Sequence, residues 1–312
     1  MPAEPNQAAR AQVVWAYAML VLVMLFWAGN SIVARAVRAD IPPFTLALIR
    51  WCGAFLVLAP FALPRVLAER AAIVRAWRPV LLLGVLGVAS FNAFLYSGLR
   101  HTTASNALLL QAAIPALVLL ADRLAFRTRP GLPAVAGVLL SMAGVVLIVL
   151  HGDPAALFHT GFNRGDVMVL AGVVCWALYT SLLRLRPALH PLSFLAATFA
   201  VGIVAMAPFA IGEWAAGERI HWTPQTALAA AYVAVLPSVV AYALFNTAVT
   251  RLGAGPAGQA INLLPVFGAL FAAALLGERL APYHVSGMAL VLVGIALPAF
   301  AAARAGRAGA RA

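Results

Sequence analysis

Lysine is absent from all 312 positions of this chain. Its absence excludes a Walker-type phosphate loop and Schiff-base chemistry, both of which need that side chain. Charge of either sign is scarce as well. Charged residues make up 10% of the sequence and hydrophobic ones 64%, where a soluble domain carries roughly one quarter charged and about half apolar residues. A water-facing shell cannot be built from that inventory. The two cysteines, Cys52 and Cys175, fall within apolar runs and read as small core fillers, with no redox role. The six histidines, His101, His151, His159, His190, His221 and His284, fall in loops or at span ends with no cysteine or carboxylate at metal-ligand spacing. The sequence therefore carries no cofactor or metal signature.

Apolar runs of the roughly 20 residues needed to cross a hydrocarbon core are abundant. They fall near 12–34, 44–63, 77–98, 104–124, 132–150, 166–184, 192–212, 225–248, 256–276 and 284–303. The expected fold is an all-α integral membrane protein of ten transmembrane helices, with the lipid bilayer as its solvent. The first run resembles a signal peptide in position, but it is longer than an h-region, lacks an A-x-A site and is repeated in the interior, so it is expected to belong to the mature fold.

The chain repeats itself. Trp27, Ala28 and Arg35 return as Trp176, Ala177 and Arg184; Pro43 returns as Pro191; Ala59, Pro60 and Phe61 return as Ala207, Pro208 and Phe209. Pro115, Gly137 and Gly144 return as Pro265, Gly287 and Gly294, and every such pair lies 148 to 150 positions apart. Such duplication in a membrane protein points to a carrier. The halves are expected to be 1–156 and 157–312. Five spans per half is an odd number, so the second half must enter the membrane from the opposite side.

Arginine placement orients the chain. With the N-terminus inside, the inner segments hold Arg10, Arg65, Arg70, Arg75, Arg78, Arg123, Arg127, Arg129, Arg184, Arg186, Arg251, Arg304, Arg307 and Arg311. The outer ones hold only Arg35, Arg38, Arg100, Arg164, Arg219 and Arg279, balanced by Asp40, Asp153, Asp166, Glu213, Glu218 and Glu278. Both termini are thus expected in the cytoplasm, with the protein in the cell (inner) membrane. The net charge of +12 then reflects topology, and no nucleic-acid partner is expected because the arginines are scattered among short loops.

The run Phe26-Trp27-Ala28-Gly29-Asn30-Ser31, followed by Arg50 in the second span, resembles the opening of an EamA-type repeat of the drug/metabolite transporter superfamily. Leu264-Pro265-Val266-Phe267, Leu276-Gly277-Glu278-Arg279-Leu280 and Gly287 through Gly294 resemble its closing half. The resemblance covers the whole chain in two copies. It implies ten helices, a central substrate cavity between the halves, and export or exchange of small metabolites, often amino acids. The first copy departs from the second in carrying Thr128 where the second has Glu278.

Polar groups inside hydrocarbon must find a partner or water, so they mark where a solute site can lie. Asn30 is in the first span, with Tyr179 at the matching place in the sixth; Asn92 and Tyr96 in the third correspond to Tyr242 and Asn246 in the eighth. A spacing of four puts each of the latter pairs on one helix face. Gln111 in the fourth span, and Gln259 and Asn262 in the ninth, lie within about two turns of Pro115 and Pro265. Those prolines are expected hinges, because each removes a backbone hydrogen bond and bends its helix at corresponding points of the halves. With Trp27 and Trp176 as walls, these residues are the expected lining, suited to a small polar or zwitterionic solute. Each of them is equally suited to interhelical hydrogen bonding.

Three ionisable residues stand apart. Arg50 lies about 10 Å into the second span, shallow enough to snorkel; it either bonds helix-end carbonyls or holds a substrate carboxylate. Asp122 is expected in an interfacial ion pair, with Arg123 and Arg127 close in sequence, and Glu278 at the outer end of the ninth span. No carboxylate lies mid-membrane, so proton coupling has no support. Gly253 to Gly258 match GxGxxG, but in a short connector between spans, without the strand and helix that give that motif meaning. Small residues Gly137, Ser141 and Gly144, with Gly287 and Gly294, share a face and are expected to pack against another helix within the carrier or across a homodimer. The reading is a metabolite carrier working by alternating access, not an enzyme. The alternative is an integral membrane enzyme acting on a lipid-linked substrate, for which only Asp122 and Glu278 offer an acid.

Overall fold

Hydrocarbon offers backbone groups no partner, so each apolar run closes its hydrogen bonds internally as a helix. The computed structural model describes residues 5–37, 39–102, 104–153, 163–276 and 280–309, and helices dominate them. Nine helical stretches among these are long and apolar enough to cross a membrane: Ala11–Ala34, Pro43–Arg75, Trp77–Gly98, Ala107–Phe126, Leu132–Val149, Arg164–Leu185, Pro191–Ala215, Pro224–Leu252 and Pro282–Ala301. The remaining pass, ninth in order, is made of two shorter helices, Ala254–Ala260 and Leu263–Leu276. The fold is the all-α membrane architecture of two inverted five-helix repeats. The expected boundary at 156/157, and Glu278 with its neighbours, lie outside the described residues.

The ninth pass is interrupted because Pro265 has no N–H for the carbonyl of Ile261, four residues back, and its ring crowds that carbonyl. The chain turns at Ile261 and Asn262 instead. Pro115 acts likewise on the carbonyl of Gln111, and the fourth span divides into Ala104–Gln111 and Ile114–Phe126. Corresponding helices of the two repeats are therefore broken at corresponding points. The third and eighth spans carry a second matched irregularity. Gly84–Ser90 and Val235–Val240 are wound as π-helix, wider than the α-helix around them. In the eighth span Pro237 leaves the carbonyl of Val233 without its usual donor, and the Ser238 hydroxyl donates to it at 2.7 Å.

The repeats interlock. The second span packs along the seventh and the fifth along the tenth; the first packs on the eighth and the third on the sixth; the fourth packs on the sixth and the first on the ninth. Exchanging the repeats maps each packing onto itself or onto another of the set, as a twofold axis lying in the membrane plane requires. Residues that touch their own repeat mates lie on that axis. Trp27 and Trp176 do so, with ring centroids 5.1 Å apart, and so do Trp51 and Phe199 at 5.3 Å.

The axis also crosses the fifth and tenth spans. A Cβ added to Gly144 would lie 2.5 Å from the carbonyl oxygen of Gly287, and one on Gly137 would lie 2.5 Å from that of Gly294. Small residues let the two backbones touch. The expected small-residue face is thus used within one chain, between the repeats.

Candidate functional site

The centre of the molecule is aromatic. Trp27 and Trp176 meet edge to face, and both pack on Phe245 at 5.3 and 5.5 Å and on Tyr242 at 6.0 Å. Tyr179 and Phe91 close on Trp176 at 5.2 Å each. Trp51 meets Tyr242 edge-on at 5.5 Å, and Phe199 lies 5.9 Å from the same ring. Spans one, two, three, six, seven and eight each contribute a ring, so both repeats build the cluster. Edge-to-face and offset contacts of this kind add to the stabilisation from area burial alone.

The π-helical segments supply the polar element of this centre. Widening the helix there leaves carbonyl oxygens open to side chains from across the repeat interface. The Tyr242 hydroxyl donates to the carbonyl of Gly87 at 2.7 Å. In the matching direction, Trp27 Nε1 donates to the carbonyl of Pro237 at 2.9 Å and Arg50 Nη2 to the same oxygen at 3.0 Å. Gly87 and Pro237 are repeat mates, 150 positions apart. Gly87 must be glycine because the Tyr179 ring lies where its Cβ would stand. The Tyr179 hydroxyl donates to Asn246 Oδ1 at 2.7 Å, which ties the sixth span to the eighth.

The expected lining residues divide into two groups. Trp27, Trp176, Tyr179, Tyr242 and Asn246 are brought together at the centre. Asn92 is buried beside them in the third span, its amide donating to its own helix at the Val88 carbonyl, 3.1 Å away. Tyr96 packs half-buried against the same core, and Asn30 is half-buried one turn from Trp27. The residues near the helix breaks form the second group. Gln259 donates to the Gly294 carbonyl at 2.7 Å and Asn262 to the Ser141 hydroxyl at 2.9 Å, so both fasten the ninth span to the fifth–tenth seam. Gln111 bonds its own helix at Ala107, 3.2 Å away. Gln111 and Asn262 also border a cavity of about 10 Å³ beside Pro265, room for one water molecule.

Sequence reasoning overlooked Trp51, Phe199 and Phe245 as members of the centre. Trp51 and Phe199 carried a usable signal, being aromatic residues repeated at the 148-residue spacing. Phe245, matched by Leu95, had no such mark. Arg50 is 4% exposed and does not snorkel. It reaches inward, where its Nε donates to the Ser238 hydroxyl at 2.6 Å and its guanidinium stacks 4.6 Å from the centroid of Trp51.

Carboxylates close both ends of the seam between the second and seventh spans. On the face opposite the chain termini, buried Glu213 accepts from the backbone N–H of Phe44 (2.9 Å) and Thr45 (2.8 Å) and from the Thr45 hydroxyl (2.9 Å). It thereby caps the N-terminus of the second span, where the helix dipole favours an anion, and it also pairs with Arg100 at 3.1 Å. On the terminal face Glu69 accepts from the His190 N–H at 3.0 Å, just before the seventh span begins. Each of the two antiparallel helices caps the other. On that same face Asp122 accepts from Ser181 and pairs with Arg184, whose guanidinium also lies over Phe126. Asp122 thus forms the expected ion pair, but with an arginine of the other repeat and not with Arg123 or Arg127.

A model of the EamA-like transporter family matches this chain twice, over residues 14–150 and 163–299. The chain is 30% identical, over 89% of its length and 95% of the relative's, to an uncharacterized transporter of Archaeoglobus fulgidus. It is 32% identical to an uncharacterized protein of Pseudomonas aeruginosa, covering 93% of this chain and 96% of that one. A solved crystal structure superposes on it with a TM-score of 0.75 at 20% identity, covering 93% of this chain and 98% of the other, which shows a shared fold.

Proposed function

This chain belongs to the EamA-like transporter family, and on that premise we propose that it exports or exchanges small metabolites, amino acids or related polar and amphipathic solutes, by alternating access. The observation that carries the reading is the aromatic centre on the twofold axis, built by both repeats and bordered by π-helical segments in matched places. A solute held there would be enclosed by walls from each half, and a rocking of one half against the other would turn it from one face of the membrane to the other. Helices widened or broken at matched points are where such a carrier can bend.

The charged contacts at the two faces act as the gates. Opening the face opposite the termini parts Glu213 from Phe44, Thr45 and Arg100; opening the terminal face parts Glu69 from His190 and Asp122 from Arg184. Each face is closed by a few charge-assisted contacts, so neither closed state is locked. We place the terminal face in the cytoplasm and the protein in the cell (inner) membrane, on the excess of arginine in the segments assigned to that side.

Counterflow tests both parts. Proteoliposomes loaded with an unlabelled solute should accumulate the labelled form of the same solute for at least one member of an amino-acid and small-metabolite set. Failure across the whole set would overturn the reading. A reporter fused after Ala312 should be active only in the cytoplasm and one in the 151–165 connector only outside, and the reverse result would overturn the orientation.

A further inference from the structure

Arg50 sits where a cation is costly. It is 4% exposed within a membrane span, and among the described residues the ion pairs involve Arg100, Arg184 and His221, never Arg50. Ionisable groups inside a membrane pair with one another or with backbone carbonyls, and they mark the path of the transported species. Of the five guanidinium donors, the hydrogen on Nε goes to Ser238 and one on Nη2 to the Pro237 carbonyl. Nη1 has no partner among the described residues. The ring it stacks on, Trp51, is fully buried, and its indole Nε1 is also without a partner. Asn246, one helical turn beyond Tyr242, leaves its Nδ2 unpartnered once its Oδ1 has accepted from Tyr179. The orphaned polar atoms of the aromatic centre are therefore all donors, beside one positive charge.

Buried donors left without an acceptor are destabilising. The group that would satisfy them is acceptor-only and carries one negative charge. We propose that the transported solute bears a single carboxylate, bound by Arg50 and the Trp51 indole, with its apolar body against the aromatic rings. A planar carboxylate matches the guanidinium fork. A phosphate monoester brings close to two negative charges, and one arginine with neutral walls would leave the second uncompensated. The inference rests on the carrier reading above and narrows it to a substrate class. The two parts of the guanidinium then have separate work: Nε and one hydrogen of Nη2 hold the group against the π-helical turn of the eighth span, and the second Nη2 hydrogen with Nη1 faces the solute.

Thermal unfolding of the purified protein in detergent tests the proposal without requiring transport. The probes are 3-phenylpropionate, phenylalanine, leucine and 4-methylpentanoate, which carry the carboxylate, set against phenethylamine, isoamylamine and phenyl phosphate, which do not. At least one carboxylate should raise the unfolding temperature while its amine counterpart and the phosphate leave it unchanged. Arg50→Gln should weaken that response by roughly tenfold or more, the size expected for losing a charge-assisted bond, and Arg50→Lys should restore part of it. Where Arg50→Gln does not fold, Trp51→Phe and the wild-type comparison of acid against amine still decide. Silence toward every carboxylate, equal response to acid and amine, or an undiminished response in folded Arg50→Gln would each overturn the proposal. Counterflow separates this from the broader reading: transport of amines or neutral solutes in preference to acids sinks the carboxylate and leaves the carrier. Binding of acids with no counterflow of any solute sinks the carrier and leaves the site.

Discussion

The twofold axis crosses this molecule in two places that differ in what they are made of. At the seam of the fifth and tenth spans, Gly137 faces Gly294 and Gly144 faces Gly287, backbone against backbone, with Ser141 and Val291 fully buried between them. At the centre, the repeat mates that touch are Trp27 with Trp176 and Trp51 with Phe199, large rings bordered by helices wound out of regular geometry. The first crossing is backbone against backbone, with small and β-branched side chains fully buried and no room in which to shift. The second has carbonyls freed from the helical ladder, donors without acceptors, and rings whose contacts can be remade. In the proposed alternating access the same symmetry operation serves two ends: the glycine crossing keeps the halves in register, and the aromatic one is where they move.

The largest effect is expected at the glycine crossing. Gly144→Leu and Gly294→Leu each drive a side chain into an opposing backbone, and overpacking of this kind costs about 1–3 kcal/mol, more where the obstacle is backbone. Both variants should lose most of their folded, monodisperse yield in detergent, and yields near wild type would show that the seam has slack. A smaller effect is expected at the centre. Tyr179→Phe and Tyr242→Phe remove single hydroxyls whose hydrogen bonds join the repeats or helices, at about 1 kcal/mol each, so counterflow should fall several-fold while yield is kept. The exposed Arg70, changed to Ala, should alter neither. Loss of yield in the phenylalanine variants with counterflow per folded molecule unchanged would assign the centre to stability alone.

Legibility in the sequence followed the range of the physics. Span positions and the duplication were legible because hydropathy and a 148–150 spacing are carried by many residues at once. The breaks at Gln111 and Ile261 were legible because proline acts four residues away on its own helix. The π-helical turn at Gly84–Ser90 was not, since no proline marks it and it depends on Tyr179 and Tyr242 arriving from the other repeat. Glu213 looked like a loop acid balancing an arginine; its capping of Phe44 and Thr45 spans 168 residues or more and exists only once the second and seventh spans have packed. Gln259 and Asn262 had the right chemistry for a lining, but the close approach of the fifth and tenth spans placed carbonyl and hydroxyl partners within their reach. Polarity within a span can be read locally, whereas the direction a polar group faces is decided by tertiary contacts.

In the proposed mechanism the gates must part for solute to pass. In a background of Cys52→Ala and Cys175→Ala, Thr45→Cys with Glu213→Cys places two thiols at the contact closing the face opposite the termini. Counterflow in proteoliposomes is measured before and after bridging these thiols with a short bifunctional thiol reagent, and again after reduction. Transport is expected before bridging, with its loss when bridged and its return on reduction; equal counterflow in bridged and reduced protein would contradict gating at this contact.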